Sequence, residues 1–431
     1  MSVHGLGGIK EYVFNPSSPS FYDEADLAAE ERRVFDVCNG CRLCAALCPS
    51  FDFLFSRIDE RDVTAHDLAE GEMHEVMDAC YYCKLCYSKC PYTPPHEFHL
   101  DFPHLALRHK AVHFKKGGAG MAKRILADPA ALNRRSRPLA PLANAVNRFK
   151  PARHVLSWAL GIHPEAPLPP VASRSFGQLF KKMPKIETPS DRAVLFTTCL
   201  VDGNYPGLGE ALVAFLAACG VEVVLPEGQE CCGIPAFDIG DIQASAAKAR
   251  KNVALLAPYA KQGLPILAPV SSCAMMMATE YPLLVPGDEA KAVASATKDL
   301  FDYLASLKKR GLWPKSEPEA LGDVAYHLPC HLKQMGVGFK GRDLLAALPG
   351  TQVKLMDACS GHDGTYGIRT ETYEASMKSG RKLFGKVREA EGLIATECPL
   401  SALQIEHATG KRPEHPIVLL ARAYGIVGSE K

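Results

Sequence analysis

The chain has 431 residues, a formal net charge of +1 and 47% hydrophobic residues, which suits roughly two to four domains with ordinary buried cores. No apolar run approaches the roughly 18 residues needed to span a bilayer. The first residues, MSVHGLGGIKEYVF, lack a basic stretch followed by an apolar one, which predicts no secretory signal. A cytosolic chain should not carry its 16 cysteines as eight structural disulfides, so metal binding is the expectation.

The charge is unevenly spread. Residues 1–100 hold 17 acidic against 8 basic side chains, and residues 108–164 hold 12 basic against Asp128 alone. An acidic block beside a basic belt suggests charged partners or a membrane surface.

In chain order, SPSFYDEADLAAEERRVFDV reads as a helix, with Ser20 as N-cap and Leu27 and Val34 on its apolar side. CNGCRLCAALCP follows, then FDFLF. The stretch RIDERDVTAHDLAEGEMHEVMDA reads as a second helix with apolar Val63, Leu68 and Val76. CYYCKLCYSKCP comes next. Both cysteine runs are C-x2-C-x2-C-x3-C-P, the bacterial ferredoxin spacing, in which the fourth cysteine serves the other cluster. The spacing therefore predicts one [4Fe–4S] cluster on Cys38, Cys41, Cys44 and Cys90, and a second on Cys80, Cys83, Cys86 and Cys48. Zinc is the competing reading, but zinc usually takes two separated pairs rather than a tight run ending in proline. With helices between the runs, this module resembles the helical ferredoxin domain found in the iron–sulfur protein of succinate dehydrogenases.

The basic belt breaks into short helices. Between 138 and 160, Leu139, Leu142, Val146, Val155, Trp158 and Leu160 alternate with Arg148, Lys150 and Arg153. That suits an amphipathic pair on an anionic surface, or else a scaffold segment packed between domains. No aromatic platform or groove-reading motif accompanies the charge, so nucleic acid is not expected. PEAPLPPVASRSFGQLFKK then begins as a proline-rich linker.

From residue 192 short β runs alternate with helices. RAVLFTTC reads as a strand ending on Cys199, PGLGEALVAFLAACG as a helix closed by Gly220, and VEVVLP as a strand before Cys231 and Cys232. A further helix and the strand PILAPVSSC lead to Cys273. The order repeats: DVAYHLPC ends on Cys330, VKLMDACSG carries Cys359, and LIATEC ends on Cys398. Each half predicts an α/β unit with parallel crossovers and cysteines at strand carboxyl ends, where open sheets place ligands. Cys219, before Gly220, reads as a buried apolar filler.

The stretches YHLPCHL, SSCAMMMATEYP, CSGHDGTYG and TECPLSALQI resemble the CCG (cysteine-rich) domain of the heterodisulfide reductase family. The module order resembles the iron–sulfur proteins of anaerobic glycerol-3-phosphate dehydrogenase and of glycolate oxidase, the former closest in layout. The resemblance implies an α+β multidomain fold: a helical two-cluster ferredoxin-type domain (1–105), a basic helical linker (106–190), and two repeated α/β CCG domains (191–312 and 313–431). It implies an iron–sulfur electron-transfer subunit that takes electrons from a flavoprotein dehydrogenase or other redox protein and passes them to an acceptor such as quinone. VDGNYPGLGE lacks the G-x-G-x-x-G fingerprint, so any dehydrogenase chemistry belongs to another chain. A cytoplasmic location is expected, with residues 108–164 as a docking surface on the cytoplasmic side of the inner membrane. The alternatives are heterodisulfide reductase-like thiol/disulfide catalysis, electron donation to a rubrerythrin-type di-iron peroxidase, and a non-catalytic docking role.

The sequence departs from the five-cysteine CCG pattern. The first repeat keeps Cys199, Cys231, Cys232 and Cys273, with Val270 where C-x-x-C would start. These four suit a third centre. The second keeps Cys330, Cys359 and Cys398, with Ser360 and Ser401 in the remaining places. A fourth site there needs another ligand, for which His327, His331, His362 and the Ser360 hydroxyl are candidates. His331 is the expected outer-sphere donor. A zinc or empty site is the other reading.

Overall fold

A computed structural model describes residues 14–117 and 120–428. The N-terminal stretch read for a secretory signal lies outside them except for Phe14. The chain forms two compact units: Met1–Arg124 together with Ala236–Gln243, and Ile125–Pro235 together with Ala244–Lys431. These bounds differ from the sequence divisions at 105, 190 and 312. The central helix of the first unit runs past 105, and the two repeats share one apolar core, with Phe215, Leu216 and Leu304 clustered with Leu344, Leu345 and Leu420.

The first unit is helical. Helix α1 (Glu24–Cys41) begins at Asp23, whose carboxylate accepts from the Asp26 amide at 2.8 Å. The expected cap, Ser20, instead lies in a single 3-10 turn over Pro19–Tyr22, because an extended residue is needed at the cap and Asp23 is the one that takes it. Leu27 and Val34 are buried as expected. Helix α2 (Pro49–Arg61) starts on the proline that closes the first cysteine run and absorbs FDFLF.

The single helix expected across 57–79 is broken. Asp62 turns left-handed at φ 52 to end α2. Thr64 and Asp67 then close a capping box, with Asp67 Oδ2 accepting from the Thr64 amide at 2.9 Å and from its hydroxyl at 2.7 Å. Helix α3 (Glu70–Asp78) and the short α4 (Leu85–Lys89) follow.

Helix α5 (Phe102–Lys115), capped by Asp101, is buried from Phe102 to Val112. The start of the basic belt is therefore interior. Arg108 donates to the carbonyls of Phe21 and Ser20, each at 2.7 Å, and Lys110 to the carbonyl of Cys80 and to Asp238. A buried cation persists only where such acceptors replace its water.

The second unit holds two parallel sheets. In the first, β1 (Asp191–Leu195) pairs with β2 (Val221–Val224) on one side and β3 (Ile266–Ala268) on the other, and β4 (Thr297–Asp299) flanks β3. In the second, β5 (Gly322–His327) lies between β6 (Thr351–Met356) and β7 (Leu393–Thr396). Ala193, Val194 and Leu195 are wholly buried, as parallel strands with helices on both faces require. The first strand of each repeat is central, so the winding reverses beside it. That reversal is the topological switch point, where such sheets bind ligands.

The strands stop short of the cysteines. Cys199 and Cys330 stand in the first turns of the helices Thr198–Gly203 and Cys330–Met335. The belt forms the helices Pro129–Ser136, Ala140–Arg148 and Lys150–Leu160. Among the described residues, no helix is long and apolar enough to cross a membrane.

Candidate metal centres

In both cysteine runs the residue after the second cysteine is left-handed: Arg42 at φ 51 and Lys84 at φ 56. An L-residue rarely adopts this conformation. Here it bends each loop so that its first three thiols face one way. Arg42 is held in place by Asp59, at 2.7 and 2.6 Å, and by Asn39.

The fold brings the expected sets together crosswise. Cys38, Cys41 and Cys44 line one small cavity with Cys90, walled by Phe51, Phe55 and Leu100. Cys80, Cys83 and Cys86 line a second with Cys48, walled by Leu85 and Phe102. Burial, and then the neighbouring thiols, push Cys48 up to about 12 and Cys44 up to about 11. Cys38, Cys86 and Cys90 are raised in the same way, burial first. Bare, these pockets favour protonated thiols. Four thiolates in an apolar wall need a cationic centre to balance them, so the donor set fits an iron–sulfur cluster.

In the first repeat the sulfurs form a chain. Cys231 hydrogen-bonds Cys199 and Cys232, and Cys232 hydrogen-bonds Cys273. Hydrogen bonds from both neighbours hold the Cys231 thiol well below its usual range. The thiols of Cys199 and Cys232 rise, first through those bonds and then through burial. Gly233 is at φ +97 and a Cβ there would meet Ser245 Oγ at 2.8 Å, so the glycine after the cysteine pair lets the loop press on the helix Ile242–Lys261.

Sequence reading missed Asn252. Its amide donates to the carbonyls of Glu230 at 3.2 Å and Cys231 at 3.3 Å and to the Tyr281 hydroxyl at 3.0 Å, and it accepts from the Glu230 amide at 2.9 Å. Only the helical spacing to the cysteine loop could have hinted at it. A cavity of about 740 Å³ opens beside Cys199 and Cys231, with Arg134, Arg137, Lys181 and Arg192 around it. Cys219 sits in the apolar core.

In the second repeat Gly361, at φ +72, presses on Ser376 as Gly233 presses on Ser245. Ser360 and Ser401 hydrogen-bond through their hydroxyls. The Gly361 amide points at Cys359 Sγ at 3.2 Å, and the Ser401 amide at Cys398 Sγ at 3.5 Å. His331 faces Asp363 at 3.2 Å, and His327 bonds Thr396 at 2.9 Å through one nitrogen. Neither ring nitrogen of the buried His362 has a hydrogen-bond partner among the described residues, and burial holds that ring down at about 4.

Known families match the same segments. The cysteine-rich domain (CCG) family matches residues 193–278 and 324–406. The Fer4-like domain of citrate utilization protein B matches residues 31–114. Together with the cysteine sites, this defines an iron–sulfur electron-transfer protein. The C subunit of the anaerobic glycerol-3-phosphate dehydrogenase of Escherichia coli (strain K12) is 33% identical over 299 residues, covering 67% of this chain and 73% of that protein. Lactate utilization protein A 2 of Bacillus cereus (strain AH820) is 29% identical over 212 residues, covering 47% and 85%. The chain belongs to the family of that anaerobic glycerol-3-phosphate dehydrogenase component.

Proposed function

We propose that the chain relays electrons from a flavoprotein dehydrogenase to an acceptor such as quinone, using two [4Fe–4S] clusters in its helical unit. Cys38, Cys41, Cys44 and Cys90 hold one, and Cys80, Cys83, Cys86 and Cys48 hold the other. The observation that carries this reading is the exchange of the fourth cysteine between the two cavities, the arrangement of two-cluster ferredoxins. When bound, such clusters supply one-electron transfer. The chain's own residues position the thiolates and keep water out with Phe51, Phe55, Leu85 and Phe102.

Cys199, Cys231, Cys232 and Cys273 supply four thiols for a third centre. Cys330, Cys359 and Cys398 supply three for a fourth, with His362 as the imidazole that completes it. The cavity beside Cys199 and Cys231 offers an acceptor access to the third centre. Iron and acid-labile sulfide of at least about eight atoms each per chain, with cubane EPR signals on reduction, are expected. Zinc in place of iron in the cysteine sites overturns the reading.

Membrane docking rests on a narrower patch than residues 108–164. Leu139, Leu142, Phe149, Val155 and Trp158 are exposed large apolar side chains, with Trp158 at 89%. Exposed Arg134, Arg135, Arg148 and Lys150 share these helices. Arg153, expected on the surface, is instead buried and donates to the carbonyls of His163, Pro164 and Ala166. Apolar side chains beside cations suit the interface of an anionic bilayer.

A further inference from the structure

Three histidines meet in the helical unit, away from the cysteine cavities. His109 and His113 are one turn apart on one face of α5, the spacing that lets two imidazoles on a helix share an ion. His74 on α3 faces them. His74 Nδ1 lies 2.8 Å from His109 Nε2. Ring centroids are 4.5 Å apart for His74 and His113 and 4.3 Å for His109 and His113. One nitrogen from each ring lies within 4.8 Å of the other two.

The ring in the middle is oriented from behind. His109 Nδ1 lies 2.6 Å from Glu31 Oε1 on α1, and both residues are buried. A carboxylate can only accept, so the proton sits on Nδ1 and Nε2 keeps its lone pair. A carboxylate behind a histidine in this way fixes the tautomer and raises the basicity of metal-bound imidazoles. A histidine that merely fills a core needs neither the buried acid nor two further rings turned toward its Nε2.

We propose that His74, His109 and His113 form a mononuclear site for a divalent transition metal, zinc in the first instance, with Glu31 orienting His109. Three imidazoles and one open position make a tetrahedral zinc site, with nitrogens about 2.0–2.1 Å from the ion and about 3.3 Å from one another. Small ring rotations reach that spacing from the distances here. His113 is partly open to solvent, which leaves room for water as the fourth ligand. The three helices also carry the cysteine runs: α1 contains Cys38 and Cys41, α3 ends at Asp78 just before Cys80, and Lys110 of α5 binds the Cys80 carbonyl. An ion here would tie those helices together without taking part in electron transfer, and the inference is independent of what the cysteines hold.

The test uses the full chain, purified without oxygen and incubated with one equivalent of zinc(II). Metal analysis and zinc-edge X-ray absorption are compared for the wild type, His74→Ala/His113→Ala and Glu31→Gln. One zinc per chain with only nitrogen and oxygen neighbours is expected. It should be lost in the double variant with iron and sulfide unchanged, and bound roughly 10–100-fold more weakly in Glu31→Gln. Zinc with sulfur neighbours, zinc indifferent to both variants, or no bound zinc overturns the proposal. Should the double variant fail to fold, His74→Gln and Glu31→Gln carry the same comparison.

Discussion

Ser360 Oγ and Ser401 Oγ lie 3.0 Å apart in a buried hydrogen bond, and they fill the two places where the second repeat lacks cysteines. In the first repeat those places hold Cys232 and Cys273, whose sulfurs are also hydrogen-bonded. The separation from Cys231 to Cys273 equals that from Cys359 to Ser401. Cys273 and Ser401 each occupy the third position of the helix that follows their strand, with Val270 and Cys398 as the respective N-caps. The second motif has thus exchanged a thiol pair for a hydroxyl pair with its backbone intact. Ser360→Ala leaves the buried Ser401 hydroxyl with only the Cys398 thiol as its partner, at a cost of about 0.5–1.5 kcal/mol. Replacing both serines with alanine should cost less than the two single changes added together, and urea denaturation of the four proteins measures the coupling.

The crossed cysteine sets give a second prediction. Cys90→Ser should alter the EPR signal of the centre shared with Cys38, Cys41 and Cys44, and leave the one shared with Cys80, Cys83 and Cys86. Cys48→Ser should do the reverse. If each substitution disturbs the centre of its own run, the assignment fails.

Asn252 braces the Cys231 loop through three hydrogen bonds and reaches the Tyr281 hydroxyl with a fourth. Asn252→Leu should destabilise the second unit by about 2–3 kcal/mol, because it strands the buried carbonyl of Cys231 and the half-buried one of Glu230. Iron beyond the first eight atoms per chain should fall with it, while the signals of the helical unit stay.

Both cysteine runs and the repeat were legible in the sequence because ligand spacing is a local, one-dimensional property. So was the parallel architecture, since alternating β runs and helices leave few other topologies. Helix starts were less legible. Ser20 and Asp23 are both good caps in isolation, and the turn begun by Pro19 decides between them. The break at Asp62 depends on a left-handed residue that composition does not announce. Arg108, Lys110 and Arg153 look like surface charge in one dimension, and only the fold brings carbonyls from distant segments to them. Asn252 and the trio of histidines meet their partners through helix packing, and the one-turn spacing of His109 and His113 does not by itself reveal His74 or Glu31.

His415 predicts a pH dependence. Its Nε2 donates to the Pro269 carbonyl at 3.0 Å, and its Nδ1 accepts from the Ile417 amide at 3.3 Å, which caps the helix Pro416–Ala423. Burial holds the ring down at about 4. Between about 6.5 and 4 the unfolded chain binds a proton that the folded chain refuses, so stability falls as pH drops through that window and is unaffected above it. The loss amounts to about 3 kcal/mol at most. His415→Asn keeps a capping acceptor and should flatten this part of the pH profile, measured by thermal melts from about pH 7 to about pH 4.5.

The exposed apolar patch predicts binding to vesicles. The wild-type chain should float with vesicles of anionic lipid at low salt, and Leu142→Ser/Trp158→Ser should lower its recovery several-fold. Equal recovery for the two proteins, or equal binding to neutral vesicles, would remove the membrane from the proposed role.

The short segment Ala236–Gln243 counts with the helical unit although its flanks belong to the other. The polypeptide therefore passes between the units three times rather than once. A single protease cut near residue 124 would leave both pieces tethered, and an expression fragment stopping there would lack part of its own fold. The helical module is thus not separable from the first cysteine-rich repeat by one cut or one truncation.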